Sequence, residues 1–307
     1  MAGVNRVLVT GASGFLGQPC VAALTARGFE VHGTGRGTPP QDIAGLHWHA
    51  ADLLSQSQRR ELLRQLRPTH LVHLAWEARP GRYRDSPGNP AWAEASLDLL
   101  DCALAIGTRR IIGIGTCFEY GASSGPCNEA TMCHPVNSYG RAKLAVAEGF
   151  AAAASNGAGA AWGRVFIPFG PGEQAAKLIP SLIRSLVAGR EFDCSHGEQL
   201  RDFIYVEDLS SAIVAVLESE LTGVVNLASG EPRSLRSVVA HFARLLGGED
   251  RIHYGAREAS GLDAEPMIIA DVSRLRRETG WAPRIGWEEG ANRAVAWWRA
   301  HSKDTPS

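Results

Sequence analysis

The sequence predicts an α/β protein: a doubly wound parallel sheet followed by a smaller C-terminal lobe. Three observations carry that expectation. Short apolar runs alternate with amphipathic stretches through the first half, a glycine-rich turn follows the first apolar run, and the alternation breaks near residue 170. Continuous apolar strands separated by helices belong to a parallel sheet covered on both faces. Right-handed crossovers then wind such a sheet in two directions.

Strand candidates in the first half are Arg6–Thr10, Glu30–Thr34, Leu46–Ala50, His70–Ala75, Arg110–Gly115 and Ala161–Ile167. Between them Pro19–Ala26, Ser57–Leu66, Trp92–Ala105 and Tyr139–Ala154 read as helices. After Gly170-Pro171-Gly172 come a helix over Ile179–Ala188, a polar stretch over Gly189–Leu200, and strands over Asp202–Val206 and Val224–Ala228. Leu235–Leu246 and Ser273–Thr279 read as helices; Asp271 or Ser273 is placed to cap the second and Gly280 to stop it. Glu288 and Glu289 open the last helix, whose Trp297 and Trp298 are expected to pack back on the body. No internal repeat or low-complexity linker interrupts this order.

The 307 residues are 45% hydrophobic and 21% charged, enough for a sizeable core. A formal net charge of -1 offers no basic field for nucleic acid and no cationic face for lipid, so a small molecule is the expected partner. The opening residues run straight into a strand pattern without the features of a signal peptide, and no apolar run approaches the roughly 20 residues that span a bilayer. A cytoplasmic location is the resulting expectation. The six cysteines include no C-x-x-C pair. Cys127, Cys133 and His134 form the one cluster to weigh as a metal site, and they lack a fourth ligand at zinc spacing. The expectation is therefore no metal, with thiols in a reducing compartment.

Gly11-Ala12-Ser13-Gly14-Phe15-Leu16-Gly17 closes the first strand and opens a helix. Glycines there let backbone approach a pyrophosphate without an intervening Cβ, and the helix N-terminus offers a partial positive charge. A glycine triplet alone is weak; one that follows a strand and begins a βαβ unit carries weight as a Rossmann-like dinucleotide site. NAD-specific sites place an acid near the end of the next strand to bind the ribose hydroxyl. Here that segment is His32-Gly33-Thr34-Gly35-Arg36-Gly37, with an arginine and no acid. A guanidinium clamps a 2′-phosphate, so NADP(H) is favoured, with NAD(H) the alternative if Arg36 is only solvated.

Tyr139-Gly140-Arg141-Ala142-Lys143 places a phenol and an ammonium on one helix face. A nearby ammonium and a positive nicotinamide ring bring a tyrosine pKa down from about 10, which suits Tyr139 to acid–base work. Lys143 would also hold the nicotinamide ribose.

The G-x-x-G-x-x-G spacing and Y-x-x-x-K resemble the extended branch of the short-chain dehydrogenase/reductase family, the NAD(P)-dependent nucleotide-sugar epimerases, dehydratases and reductases. The resemblance covers nearly the whole chain. It implies a catalytic hydroxyl at Thr116, counted back from Gly121, for which the plain alternative is a threonine capping a strand end. It also implies an adenine contact at Asp52-Leu53 and a strand beneath the cofactor at His73-Leu74-Ala75. Arg164 to Gly172 is similar to the family's next sheet strand and substrate loop. Lys177-Leu178-Ile179-Pro180 and Arg201-Asp202-Phe203-Ile204-Tyr205-Val206 resemble its nucleotide-diphosphate elements, with Arg201 the expected diphosphate ligand. The resemblance further implies a homodimer through Trp92–Ala105 and Tyr139–Ala154. The expected domains are 1–172 for the dinucleotide and 173–307 mainly for the substrate, with part of 202–229 packing back on the sheet.

The departures matter more. Family dehydratases follow the catalytic Thr with Asp-Glu; here Cys117 and Phe118 stand there, and Glu119 falls one position late. Decarboxylases place an acid at Phe118. Epimerase–reductases pair a Cys with a His, but Cys117 is displaced by one position and Lys177 replaces the His. Ile167 replaces a common Asn, and the segment Gly261 to Pro266 keeps acids without a nearby Arg. Cys117, Phe118, Lys177 and Arg201 are thus the substrate-side candidates. Three readings remain: an NADPH-dependent reductase of a 4-keto-(6-deoxy)-sugar nucleotide, a nucleotide-sugar 4-epimerase, and a cofactor-sensing binding protein without catalysis. Arg36 and the missing acid pair favour the reductase.

Overall fold

In the computed structural model, residues 5–39, 43, 45–79, 81–259 and 263–301 are described. Gly261 and Leu262 of the acid-bearing segment, and Met1–Val4 of the opening stretch, lie outside them. A seven-stranded parallel sheet forms the centre, in the order β10-β6-β5-β4-β1-β2-β3. Its strands are β1 (Arg6–Thr10), β2 (Glu30–Gly35), β3 (Leu46–Ala50), β4 (His70–His73), β5 (Arg110–Thr116), β6 (Ala160–Val165) and β10 (Gly223–Leu227). The doubly wound sheet read from the alternation of runs is therefore present.

Helices cover both faces. α1 (Gly17–Ala26) and α6 (Val206–Glu218) lie against one side, where Val7, Val9, Val21, Leu24, Ile213 and Leu217 are buried together. α2 (Gln56–Leu66), α3 (Asn89–Ala105) and α4 (Ser138–Ser155) lie on the other, around Leu8, Leu71, Leu99, Phe150 and Trp162. Such sheet strands are apolar on both faces because both are removed from water. α3 and α4 pack on each other, and Gly149 leaves room there for Leu97.

The smaller lobe gathers β7 (Ile167–Phe169), β9 (Leu200–Tyr205), β11 (Pro232–Ser234) and β13 (Met267–Ile268) into a second sheet, while β8 (Phe192–Cys194) pairs with β12 (Ile252–Tyr254). With α5 (Leu178–Val187), α7 (Leu235–Leu246) and α9 (Gly286–His301), these strands enclose Phe169, Leu182, Phe203, Phe242, Trp287 and Trp298. Trp298 is buried as expected, and Trp297 packs beside it.

Several boundaries move, each for a local reason. β4 ends at His73; beyond it the Leu74 N–H is shared between the Thr10 carbonyl and hydroxyl, and the Ala75 N–H goes to the hydroxyl. The run Ala161–Ile167 divides at Phe166 into β6, which stays in the main sheet, and β7, which crosses to β9. Val206 does not end a strand; it opens α6, a helix the apolar run concealed and only Glu207 and Asp208 in its first turn could have announced. The Asp202 carboxylate accepts from Ser229 and Gly230 N–H, and Asp208 accepts from Arg284, Ile285 and Gly286 N–H, so both acids of this stretch tie loops down. α8 (Ser273–Thr279) has Val272 at its N-cap position and no side-chain cap; Asp271 Oδ1, one residue earlier, accepts from Ser273 N–H, and Gly280 ends the helix in the left-handed region. Among the described residues no helix is long and apolar enough to cross a membrane.

Candidate active site

A cleft of about 480 Å³ runs along the C-terminal ends of the parallel strands, where an open α/β sheet leaves its crevice. Gly11, Ser13, Gly14, Phe15, Leu16 and Gly17 line it, as do Leu74 and Ala75 from the adjoining strand end. The glycines are required by geometry. Gly11 has φ +69°, and a Cβ there would stand 3.0 Å from Ala75 Cα; one at Gly17 would stand 2.2 Å from Gly11 O. The turn therefore lies flat on β4 and leads directly to the start of α1, a cradle that suits a dinucleotide pyrophosphate.

The strand end beneath is fixed by a buried relay. Thr10 Oγ1 accepts from Leu74 and Ala75 N–H and meets His73 Nδ1 at 2.7 Å, while His73 Nε2 meets Ser96 Oγ at 2.8 Å. Ser96 in turn donates to Trp92 O. Burial pushes His73 down to about 3, so the ring is neutral and joins the two hydroxyls as one donor and one acceptor.

At the far end of the cleft Thr34, Gly35 and Arg36 follow β2, and Asp52 and Leu53 follow β3. Trp48 Nε1 donates to Gly37 O at 3.0 Å and its ring fills the space over Gly35, so Arg36 leaves a braced turn. Asp52 Oδ1 accepts from Leu54 N–H at 3.0 Å.

Thr116, Tyr139 and Lys143 line the other end. Asn137 caps α4 by accepting from Gly140 N–H at 2.7 Å, which sets where the helix begins and hence where Tyr139 points. The Tyr139 ring meets Tyr83 edge-on at 4.9 Å between centroids and Trp76 at 5.9 Å. Burial raises its phenol well above the ordinary tyrosine value, with Tyr83, Glu119 and Cys117 adding to that and a hydrogen bond with Thr116 opposing it. Lys143 is buried, donates to Ile114 O at 2.7 Å and sits 3.9 Å from the Trp76 ring centroid. Burial brings its ammonium down to about 7, against an opposing pull from Glu119.

Glu119 answers the question its position raised. It does not face the cleft as a displaced dehydratase acid; it is fully buried, and Oε2 pairs with Arg164 Nε at 2.7 Å. Its Oε1 accepts from Thr116 N–H at 2.9 Å and from Trp162 Nε1 at 3.0 Å. Thr116 Oγ1 accepts in turn from Phe118 N–H, so the acid and the threonine cap the same short turn from both sides. The Thr116 turn is thus held from beneath.

Cys117, Phe118 and Lys177 also line the cleft. Burial pushes the Cys117 thiol up to about 12, which keeps it neutral. The Arg84 guanidinium stacks 5.2 Å over Phe118 and forms a two-pronged pair with Asp263 at 2.9 and 3.1 Å. Lys177 Nζ lies 5.2 Å from the Tyr83 ring centroid. Arg201 is not among the residues lining this cleft, and its guanidinium donates to the carbonyls of Leu200, Asp263 and Glu265. The strand register turns it toward the segment that β13 brings alongside β9.

Beyond Lys177 a second cavity of about 210 Å³ opens, lined by Leu178, Phe192, Arg236, Tyr254, Arg257 and Asp263 among others. Sequence reasoning gave no sign of it, since its walls come from segments as far apart as Ala176 and Asp263. Trp76, Tyr83 and Glu173 were missed at the main cleft as well. Trp76 follows directly on Leu74-Ala75 and Glu173 on Gly170-Pro171-Gly172, so adjacency could have found both; Tyr83 carried no signal.

The family model described as NAD dependent epimerase/dehydratase family matches residues 7–228. A dTDP-6-deoxy-L-talose 4-dehydrogenase (NAD(+)) of Aggregatibacter actinomycetemcomitans is 27% identical over 242 residues, 77% of this chain and 89% of that protein. A UDP-glucose 4-epimerase of Azospirillum brasilense is 26% identical across 95% of this chain and 91% of its own length. Among solved structures, MoeE5 in complex with UDP-glucuronic acid and NAD superposes with a TM-score of 0.83 at 28% identity, covering 96% of this chain and 99% of that one.

Proposed function

The chain belongs to the NAD dependent epimerase/dehydratase family, and several relatives are named for nucleotide-sugars; on that ground we propose that it is an NADPH-dependent reductase of a 4-keto-(6-deoxy)-sugar nucleotide. The observation that carries this reading is the lining of the reacting end, where Thr116, Tyr139 and Lys143 stand beside Cys117 and Phe118 rather than beside an acid pair. Burial keeps the Tyr139 phenol and the Cys117 thiol neutral, and the neighbouring Phe118 is apolar. The protonated phenol has a proton to give to a carbonyl oxygen, and the site lacks at Cys117 and Phe118 the acids that expel water from a sugar.

The bound dihydronicotinamide would supply hydride to the ketone carbon. The chain's own residues do the rest. The glycine turn and the α1 N-terminus hold the pyrophosphate, and Arg36 receives the 2′-phosphate at the end of β2. Thr116 hydrogen-bonds the carbonyl oxygen as negative charge develops there, and Tyr139 donates its proton to that oxygen. Lys143 stabilises the phenolate left behind. The nucleotide end of the substrate extends past Lys177 into the second cavity, where Arg236 and Arg257 supply positive charge.

A second reading, C4 epimerisation, is favoured by the likeness to the Azospirillum brasilense enzyme along 95% of the chain. One assay separates the two. Purified protein given NADPH and dTDP-4-keto-6-deoxyglucose is expected to oxidise one NADPH per ketone consumed. Interconversion of UDP-glucose and UDP-galactose, with no net change in nicotinamide absorbance, would replace the reductase by the epimerase.

A further inference from the structure

Glu173 follows β7, at the side of the cleft formed by the smaller lobe and away from the β2 and β3 ends that carry Arg36 and Asp52. Its neighbours in that wall are Gln174 and Lys177. Gln174 Nε2 donates across the cleft to Ala78 O at 3.2 Å, tying this segment to the loop after β4. Lys177 reaches over the Tyr83 ring, and Tyr83 lies edge-on against Tyr139. Glu173 therefore lines the same cleft as the Tyr139 phenol.

The carboxyl is bonded on one side only. Gly170 N–H approaches it, yet Oε2 is buried and has no hydrogen-bond partner among the described residues. Lys177 is near enough to act on its charge, but its ammonium is directed to the aromatic ring. Folded proteins pair nearly all their buried polar atoms, so an orphaned carboxyl oxygen in a cleft wall marks a place kept for a ligand. Desolvation lifts this acid to about 8, so near neutral pH Oε2 can donate as well as accept.

We propose that Glu173 is a specificity-determining residue: its Oε2 forms a hydrogen bond with a hydroxyl of the sugar ring. The assignment rests on the nucleotide-sugar reading and adds to it the side of the cleft on which the sugar is read. A sugar that lacks the matching hydroxyl leaves Oε2 unpaired, which is how a polar pocket rejects an analogue.

The test measures dissociation constants of UDP, UDP-glucose, dTDP and dTDP-glucose for the full chain saturated with NADP, by calorimetry. The ratio of the diphosphate constant to the sugar-nucleotide constant isolates what the hexose adds. Glu173→Ala is expected to lower that ratio about tenfold for at least one pair and to leave diphosphate affinity unchanged. Glu173→Gln, which keeps a donor and an acceptor, is expected to recover most of the loss. Equal weakening of diphosphate and sugar nucleotide, no change in either, or a wild-type ratio of one each overturns the assignment while nucleotide binding stands. Failure of all four ligands to bind the wild type removes the nucleotide-sugar reading itself, and Glu173's role with it.

Discussion

The two ends of the cleft are built on different principles. The end expected to hold the cofactor is made by four successive strand ends within residues 11–75, and backbone does most of its shaping: glycines that permit contact, a helix N-terminus, and Leu74 and Ala75 N–H groups held by Thr10. The reaction end draws Tyr83, Thr116, Tyr139, Lys143 and Glu173 from scattered segments and buries several ionisable side chains together. Backbone dipoles hold an anion whatever the pH; a desolvated phenol, amine and carboxyl make proton chemistry depend on burial. Changes at the first end should therefore alter binding, and changes at the second should alter turnover.

The largest expected effect is at the reaction end. Tyr139→Phe removes the proton donor and keeps the ring that packs on Tyr83 and Trp76. Turnover with a 4-keto-sugar nucleotide should fall by roughly 10²–10⁴-fold, the usual worth of general acid catalysis, at an NADPH dissociation constant close to wild type. Stopped-flow turnover and fluorescence titration measure the two separately. Retained turnover would remove Tyr139 from the chemistry and blur the division between the ends.

Next in size is Arg36→Ala at the cofactor end. Loss of a charge-assisted clamp of about 1.5–3 kcal/mol should weaken NADPH roughly ten- to a hundredfold, while NADH affinity and the rate at saturating cofactor stay the same. Equal effects on NADPH and NADH would show that Arg36 supports the braced turn rather than a phosphate, and would return NAD(H) to first place.

The same division explains what the sequence disclosed. Gly11, Gly14 and Gly17 lie within one turn, and Tyr139 and Lys143 within one helical turn, so short spacing encodes their geometry directly. Thr116 lines the cleft, and the expectation that placed it there was counted back from Gly121. Glu119 could be placed but not aimed, because its direction is set by Trp162 and Arg164, more than forty residues away on β6. The surroundings of Arg201 were illegible for the same reason: the carbonyls of Asp263 and Glu265 that engage it come from the segment around β13, whose two residues leave no periodic trace. Strand β7 and helix α6 were hidden inside apolar runs whose breaks depend on which sheet each half joins. Long-range pairing, not local propensity, built the substrate side.

The smallest effect tests the seam between the two ends, which Lys143 occupies. Its ammonium is shared between Ile114 O, the Trp76 ring that follows the cofactor strand, and the face of the Tyr139 ring at 5.9 Å. Burial lowers its pKa to about 7, so the amine is charged below that pH and loses its proton as pH rises through it. If the charged form steadies the phenolate, turnover should drop roughly fivefold between pH 7 and 8, the change expected for one group titrating at the lower value. Tyr139, raised by the same burial, adds no loss in that interval. Lys143→Arg stays protonated and should flatten the profile even if its bulk lowers the plateau. Because Lys143 would also hold the nicotinamide ribose, NADPH affinity should decline through the same midpoint in the wild type and not in the variant. A midpoint seen in turnover alone would assign Lys143 wholly to the reaction end and move the boundary to Trp76.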